Sequence, residues 1–326
     1  MSSPFKIRVA ETETLNPLIR RLVLRAPAGE ALPGHTAGAH VRVQVTLPDG
    51  GQDWRHYSLI NALPQAGATA APTHYEIAVR LEDEGRGGSR FMHGLQVGDT
   101  LQIEAPKNDF PLHAGSGPVL LLAGGIGITP LLSMAAELRA AGRPLRVVYA
   151  GRSRALLAFL PQLQTLLGDA LRVHADDEAG APLDIAALLD GCAPTESLYM
   201  CGPKPMLNAV LAGAQARGWP TDRVHFELFS AATPEAGDQA FDVVLAQSGA
   251  THRVAADQTL LDCLIEHGCD PLFDCKRGEC GVCAVPVIEG EVDHRDHVLS
   301  ASEKAAHQVI QICVSRARGA RLVLDL

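Results

Sequence analysis

The sequence predicts a multidomain chain: an antiparallel β unit, an α/β unit on a doubly wound parallel sheet, and a small α+β unit around a cysteine-rich loop. Three observations carry this. Short strands separated by glycine and proline clusters fill the first third. Near residue 118 the rhythm changes to apolar strands alternating with helices. Past residue 240, Cys275, Cys280 and Cys283 crowd one loop, with Cys313 far downstream. A length of 326 residues suits two or three domains.

Strands are expected over 6–9, 19–24, 40–46, 74–79 and 100–103, each short and rich in Val, Ile, Leu and Thr. Pro33-Gly34, Pro48-Asp49-Gly50-Gly51 and the glycines between 85 and 88 separate them, as in an antiparallel sandwich or barrel. Residues 118–123 form an uninterrupted apolar run, the pattern of a strand buried on both faces. A glycine-rich turn follows, then a helix over 130–141 with Thr129 as its N-cap and Pro130 at its first position. Strands over 145–149, 171–174, 197–200 and 224–226 then alternate with helices over 155–167, 184–189 and 204–217, which implies a parallel, doubly wound sheet. Residues 230–239 lack large apolar side chains and read as a linker. Strand-like segments over 241–246 and 251–254 and a helix over 258–267, capped by Asp257, lead into the cysteine loop. The expected boundaries are 1–113, 114–229 and 240–326, with the linker between the last two.

The formal net charge of −9 disfavours nucleic acid or an anionic membrane as partner, because both attract basic surfaces. Residues 239–326 carry 8 Lys and Arg against 13 Asp and Glu, so the acidity concentrates on the cysteine-bearing unit, which suits docking to a basic patch. The opening residues do not read as a signal peptide, and the run at 118–123 is far shorter than a membrane span. A soluble, cytoplasmic, monomeric protein is expected. Thiols stay reduced in that compartment, so clustered cysteines there bind metal or do redox chemistry.

Cys275-x4-Cys280-x2-Cys283, with Cys313 beyond, has the spacing of a plant-type [2Fe-2S] loop. Gly278 and Gly281 let the backbone wrap closely and aim N–H groups at sulfur. A zinc site or buried free cysteines are the alternatives, although zinc loops prefer paired C-x2-C knuckles and only one is present. Cys192, Cys263 and Cys269 read as small buried hydrophobes.

Gly124-Gly125-Ile126-Gly127-Ile128-Thr129-Pro130 joins a buried strand to a helix, where a pyrophosphate can approach the first N–H groups. Only Gly125-x-Gly127 fits the dinucleotide fingerprint, so a tight connection is the alternative. Cys201-Gly202-Pro203 ends another inner strand at the edge where open α/β sheets bind ligands. In the first unit, Arg55 and Tyr57 share one strand face beside Ser58. Arg55 can pair with a phosphate, Tyr57 offers a flat ring, and Gly87-Gly88-Ser89 can wrap an anion. Ordinary strand packing and a hairpin are the competing reading.

Taken in order, Arg55-x-Tyr57-Ser58, Gly87-Gly88-Ser89, the run 124–130, Cys201-Gly202-Pro203 and the four cysteines resemble the phthalate dioxygenase reductase group, which includes vanillate demethylase reductase subunits. The resemblance runs along nearly the whole chain. It implies a flavin-binding β-barrel, an NAD(H)-binding α/β domain and a C-terminal β-grasp ferredoxin. It also implies that Arg55, Tyr57, Ser58, Val79, Arg80, Gly87, Gly88 and Ser89 hold the flavin, with Tyr57 over the ring and Ser58 near N5. Gly125, Gly127, Thr129, Cys201 and Gly202 would meet the nicotinamide nucleotide, with Glu227 and Phe229 closing the pocket. The roles nearest the chemistry would fall to Ser58, Thr129, Cys201 and Glu227, and the metal ligands would be Cys275, Cys280, Cys283 and Cys313.

By the same resemblance the flavin is FMN and the donor NADH. Arg152, Ser153 and Arg154 nevertheless follow the second strand of the α/β unit, where a 2′-phosphate of NADPH would lie. The implied function is the reductase component of a two-component oxygenase, passing electrons from NADH through FMN and a [2Fe-2S] cluster to a Rieske-type terminal oxygenase. The alternative is a stand-alone flavin and iron–sulfur electron carrier or redox sensor. Flavohaemoglobin-like and ferric-reductase-like readings lack the ferredoxin tail.

Overall fold

Alternating burial organises the first sheet. Strands β1 (Phe5–Asn16), β2 (Ile19–Arg25), β3 (His40–Thr46), β4 (Gln52–Ser58) and β5 (Tyr75–Arg80), a short helix α1 (Gly88–Gly94) and β6 (Thr100–Ile103) make an antiparallel sheet in the order β4-β3-β6-β1-β2-β5. The computed structural model of the chain describes residues 3–61, 71–83, 85–229, 235 and 237–326. Past β4, Ile60 N–H donates to Glu76 O at 3.0 Å, and the Asn61 amide bridges to His74 and Glu76. These bonds bring the two outer strands together and curl the sheet into a barrel around Ile7, Val9, Leu22, Val43, Tyr75 and Ile103. β1 is longer than the expected 6–9 because it pairs first with β6 and then with β2, bending at bulges near Ala10 and Leu15. Helix α1 stands where the sequence suggested a glycine-rich loop, anion-wrapping or a hairpin, and no helix.

The parallel sheet is built from β7 (Val119–Gly124), β8 (Leu145–Gly151), β9 (Leu171–Ala175), β10 (Ser197–Cys201) and β11 (Val224–Glu227), in the order β11-β10-β7-β8-β9. Helices α2 (Ile128–Ala140), α3 (Leu160–Leu167), α4 (Asp176–Ala179), α5 (Ile185–Asp190) and α6 (Lys204–Ala216) connect them. Every residue of central β7 is buried, as its apolar run requires. Chain order reverses between β7 and β10, so the crevice outside their carboxyl ends is the topological switch point. The helix expected over 155–167 is broken: a 3₁₀ turn at Arg154–Leu156 gives way to Phe159 at φ 61°, and α3 begins only at Leu160, just before Pro161. A proline in the first turn starts a helix but cannot continue one, and the buried Phe159 ring holds the left-handed backbone in place.

Both sheets belong to one compact unit, Met1–Glu227, and the remainder, Leu228–Leu326, forms a second. Within the first unit Ile19, Ala37, Ile60 and Ala78 of the barrel join the core of the parallel sheet, and Gly38 N–H donates to Ser133 Oγ at 3.2 Å.

The second unit holds β12 (Phe241–Leu245), β13 (Thr251–Val254), α7 (Leu260–Glu266), β14 (Ala284–Glu289), β15 (Val292–Asp293), α8 (Ala301–Ala306), β16 (Val309–Gln311), β17 (Arg316–Ala317) and β18 (Arg321–Leu324). Its five-stranded sheet runs β13-β12-β18-β14-β16, with β12 and β18 parallel and α7 packed on the core. Thr259, not Asp257, caps α7: its hydroxyl accepts from Asp262 N–H at 3.0 Å, because the helix starts two residues later than expected. No helix among the described residues is long and apolar enough to cross a membrane.

Residues 230–234 and 236 of the expected linker lie outside the described residues. Asp238 and Gln239, at its end, are pinned. Asp238 accepts two bonds from Arg295 at 2.6 and 3.0 Å, and Arg316 donates to Gln239 O at 3.1 Å. The Arg295 guanidinium holds the Asp238 carboxyl at about 2, below its usual 3.8. Asp238 therefore adds stability that is present above pH 3.8 and fades as pH falls toward about 2. Asp238→Asn is expected to lower second-unit stability by about 2 kcal/mol at neutral pH, measured by urea denaturation, with the difference from wild type shrinking below pH 3.8.

Candidate functional sites

The switch point is built by two chain turns that interlock. After β7 the chain makes a 3₁₀ turn at Gly125–Gly127 and runs directly into α2. Gly127 is the N-cap, so Thr129 is not the cap expected from sequence. It lies inside the first turn, buried, and its Oγ1 donates to Ile126 O at 3.0 Å. Pro130 is tolerated at the third helical position because first-turn N–H groups have no partner within the helix. A β-carbon on Gly127 would lie 2.1 Å from Cys201 O, and one on Gly124 would lie 2.5 Å from Pro203 Cδ. These glycines therefore let the turn after β7 press against Cys201-Gly202-Pro203 after β10. Amide groups at the positive end of a thirteen-residue helix are left at the crevice, which fits a pyrophosphate. Cys201 is fully buried, and Glu227 is buried at the end of neighbouring β11.

The barrel turns another edge toward this turn, since β5 and the 3₁₀ turn are in contact. Val79 points into the barrel core while Arg80 is exposed. On β4, Arg55 is ion-paired to Asp53 Oδ2 at 2.5 Å and donates to Trp54 O at 3.0 Å. Tyr57 is half-buried against the barrel core, and Ser58 is buried. Gly87, at φ 99°, turns the chain into α1, and a β-carbon there would strike Pro48. A β-carbon on Gly88 would lie 3.1 Å from Arg55 Nε, so the glycine pair and Arg55 form one cradle. Ser89 Oγ accepts from Glu82 N–H at 3.0 Å and closes the loop. A basic fork, helix-start amides and a flat ring fit a phosphate joined to an aromatic group.

Three contributors escaped the sequence reading. Asp53 holds Arg55 in place, and its two-residue offset on a strand was the signal for a same-face pair. His93, in the last turn of α1, donates from Nε2 to Val79 O at 2.9 Å and fixes the end of β5. Glu178, on α4, takes both ends of Arg154: Nε donates to Oε1 at 2.8 Å and the terminal nitrogen to Oε2 at 2.7 Å.

In the second unit the four ligand candidates come as two thiol pairs. Cys275 is hydrogen-bonded to Cys280, and Cys283 Sγ lies 3.2 Å from Cys313 Sγ. No group of three or more such side chains among the described residues gathers around a single ion; the arrangement is pairwise. The Cys280 thiol, with backbone N–H groups of Glu279, Arg277 and Cys280, holds the Cys275 thiol down at about 4, whereas that pairing and burial push Cys280 up. Gly278, at φ 76°, donates its N–H to Cys313, and a β-carbon there would meet Val314 at 2.8 Å. Two thiol pairs under converging amides fit a group that binds four thiolates through two metal centres. Phe229 lies in this unit and is exposed.

Comparison with known proteins agrees with this division of chemistry. Residues 6–111 match the oxidoreductase FAD-binding domain family, and residues 243–318 match the 2Fe-2S iron-sulfur cluster binding domain family. The toluene-4-sulfonate monooxygenase system reductase subunit of Comamonas testosteroni is 38% identical over 328 residues, covering 100% of both chains. The heme-dependent oxidative N-demethylase beta subunit of Ectopseudomonas mendocina is 40% identical over 327 residues, again covering 100% of both. Among solved structures, phthalate dioxygenase reductase is 34% identical, with a TM-score of 0.73 over 99% of this chain and 98% of that one.

Proposed function

The chain belongs to the phthalate dioxygenase reductase family of oxygenase reductases, and from that premise we propose that it carries electrons from NADH through FMN and a [2Fe-2S] cluster to a Rieske-type terminal oxygenase. It is a flavin and iron–sulfur oxidoreductase, the reductase component of an oxygenase system. The observation that carries the proposal is the pairing of Cys275 with Cys280 and of Cys283 with Cys313, on a chain that also holds a nucleotide-type switch point. We assign 1–113 to the flavin, 114–229 to the nucleotide and 240–326 to the cluster, and we take the protein to act as a monomer.

When bound, the flavin would supply two-electron chemistry toward the nicotinamide and the cluster one-electron chemistry toward the acceptor. The protein's part is to position and to shield. Arg55 and the amides at Gly87, Gly88 and Ser89 hold the flavin phosphate, while Tyr57, Ser58 and Arg80 line the ring and Val79, its side chain in the barrel core, meets it through its backbone alone. The amides of Gly125 and Gly127 hold the nucleotide pyrophosphate. Buried Thr129, Cys201 and Glu227, with Gly202, shape a water-poor recess for the nicotinamide. The family resemblance favours FMN over FAD, and the short link over 108–118 agrees with it. The acidic second unit favours a partner with a basic docking face.

The test is a visible and EPR spectrum of the purified protein, with released flavin identified by chromatography. The expected result is FMN and a [2Fe-2S] signal, both reduced by NADH, with rapid cytochrome c reduction. Absence of NADH-dependent bleaching would sink the reading, and bleaching without one-electron turnover would favour the sensor. Reduction of a haem centre instead of a Rieske centre in the cognate oxygenase would replace the partner assignment. Arg55→Ala is expected to weaken FMN binding by about tenfold or more, read by equilibrium dialysis, with the thermal midpoint little changed.

A further inference from the structure

Resting on NADH as the donor, we propose that Glu178 is the residue that sets NADH over NADPH: it occupies Arg154, so the guanidinium is not free to receive a 2′-phosphate. The position follows from the sheet. With the pyrophosphate on the turn after β7, the adenosine ribose lies over the end of the next strand outward, β8. β8 ends at Gly151, and Arg152-Ser153-Arg154 follows immediately. Such a basic trio would ordinarily be read as a 2′-phosphate site.

The structure takes that site away. The side-on edge of the Arg154 guanidinium, Nε and one terminal nitrogen, is spent on the two oxygens of Glu178 at 2.8 and 2.7 Å. Fork-on-fork geometry is the arrangement arginine uses for phosphate, so the carboxylate stands in the place the ligand would take. α4 is held beside this loop because Asp177 N–H donates to Arg152 O at 3.1 Å. It brings Asp176 and Asp177 as well, and Asp176 faces His174 at 3.2 Å. Glu178 and Asp177 thus both oppose Arg154, which repels a doubly charged phosphate while leaving acceptors for ribose hydroxyls. An ion pair this exposed adds little to stability.

The experiment uses the full holoprotein as wild type, Glu178→Gln, Arg154→Ala and the double variant. Calorimetry measures binding of 5′-AMP and of adenosine 2′,5′-bisphosphate, and stopped flow measures flavin reduction by NADH and NADPH. Glu178→Gln is expected to bind the bisphosphate about tenfold or more tightly than wild type, with a comparable rise in the NADPH-to-NADH ratio of kcat/KM. The gain should vanish in the double variant. Unchanged discrimination in Glu178→Gln, or a gain that survives loss of Arg154, overturns the proposal while leaving the nucleotide site standing. Wild type that binds neither adenosine probe and oxidises neither dinucleotide overturns the nucleotide assignment itself.

Discussion

Cys275→Ser is expected to abolish one-electron output while leaving NADH-dependent flavin reduction in place. Cys275 is buried, pairs with Cys280 and takes three backbone N–H bonds, so a serine there removes a thiolate that the loop is built to hold. Cytochrome c reduction should fall by at least about a hundredfold, with the cluster absorbance and EPR signal lost. Stopped-flow bleaching of the flavin by NADH should stay near the wild-type rate, because the barrel and parallel sheet form a unit to which the cysteine loop does not belong. Cys192→Ser is the control: that thiol lies in the first unit beside Arg146 and Leu188 O, far in sequence from the cluster loop, and should change neither step. Loss of flavin reduction in Cys275→Ser would contradict the modular scheme.

Gly127→Ala should be the most disruptive single methyl group in the first unit. The backbone at Gly127, φ −60° and ψ −5°, suits alanine well, so the whole effect is steric. The new carbon would sit 2.1 Å from Cys201 O and 2.8 Å from Gly202 N, and that segment cannot retreat because β10 is paired on both sides, with β7 and β11. We expect a loss of about 3 kcal/mol or more in stability and flavin reduction by NADH slowed at least tenfold. Gly125→Ala separates the two possible causes. There φ is +56° and nothing lies within 4 Å, so only the left-handed backbone opposes the change, at about 1 kcal/mol. Equal thermal midpoints for the two variants would refute the close-packing argument.

These cases show which features a linear sequence carries. The cysteine spacing, the apolar run of β7 and the strand with Arg55, Tyr57 and Ser58 are local, since each follows from periodicity or from a short ligand pattern. What stayed hidden depends on residues distant in the chain. Glu178 neutralises Arg154 across two parallel strands, and Arg295 reaches back to Asp238. The cap at Thr129 was misplaced because a 3₁₀ turn extended the helix backward over glycines that read as a loop. The break at Phe159 was hidden by a good apolar helical pattern, which a proline near its middle outweighed. Helix α1 starts on two glycines, poor helix formers, and forms because Met92 anchors it in the barrel core.

The position of β18 governs how the second unit can be made. It lies at the centre of its sheet, between β12 and β14, yet it follows both in the chain. A nascent chain therefore presents Cys275, Cys280 and Cys283 on the ribosome before Cys313 or the strand that completes their support has emerged. Until residue 324 is free, β12 and β14 have exposed inner edges and the thiols have no finished scaffold. All four thiols are therefore made before the strand that completes the sheet beside them, and in that interval they are reduced and open to oxidation.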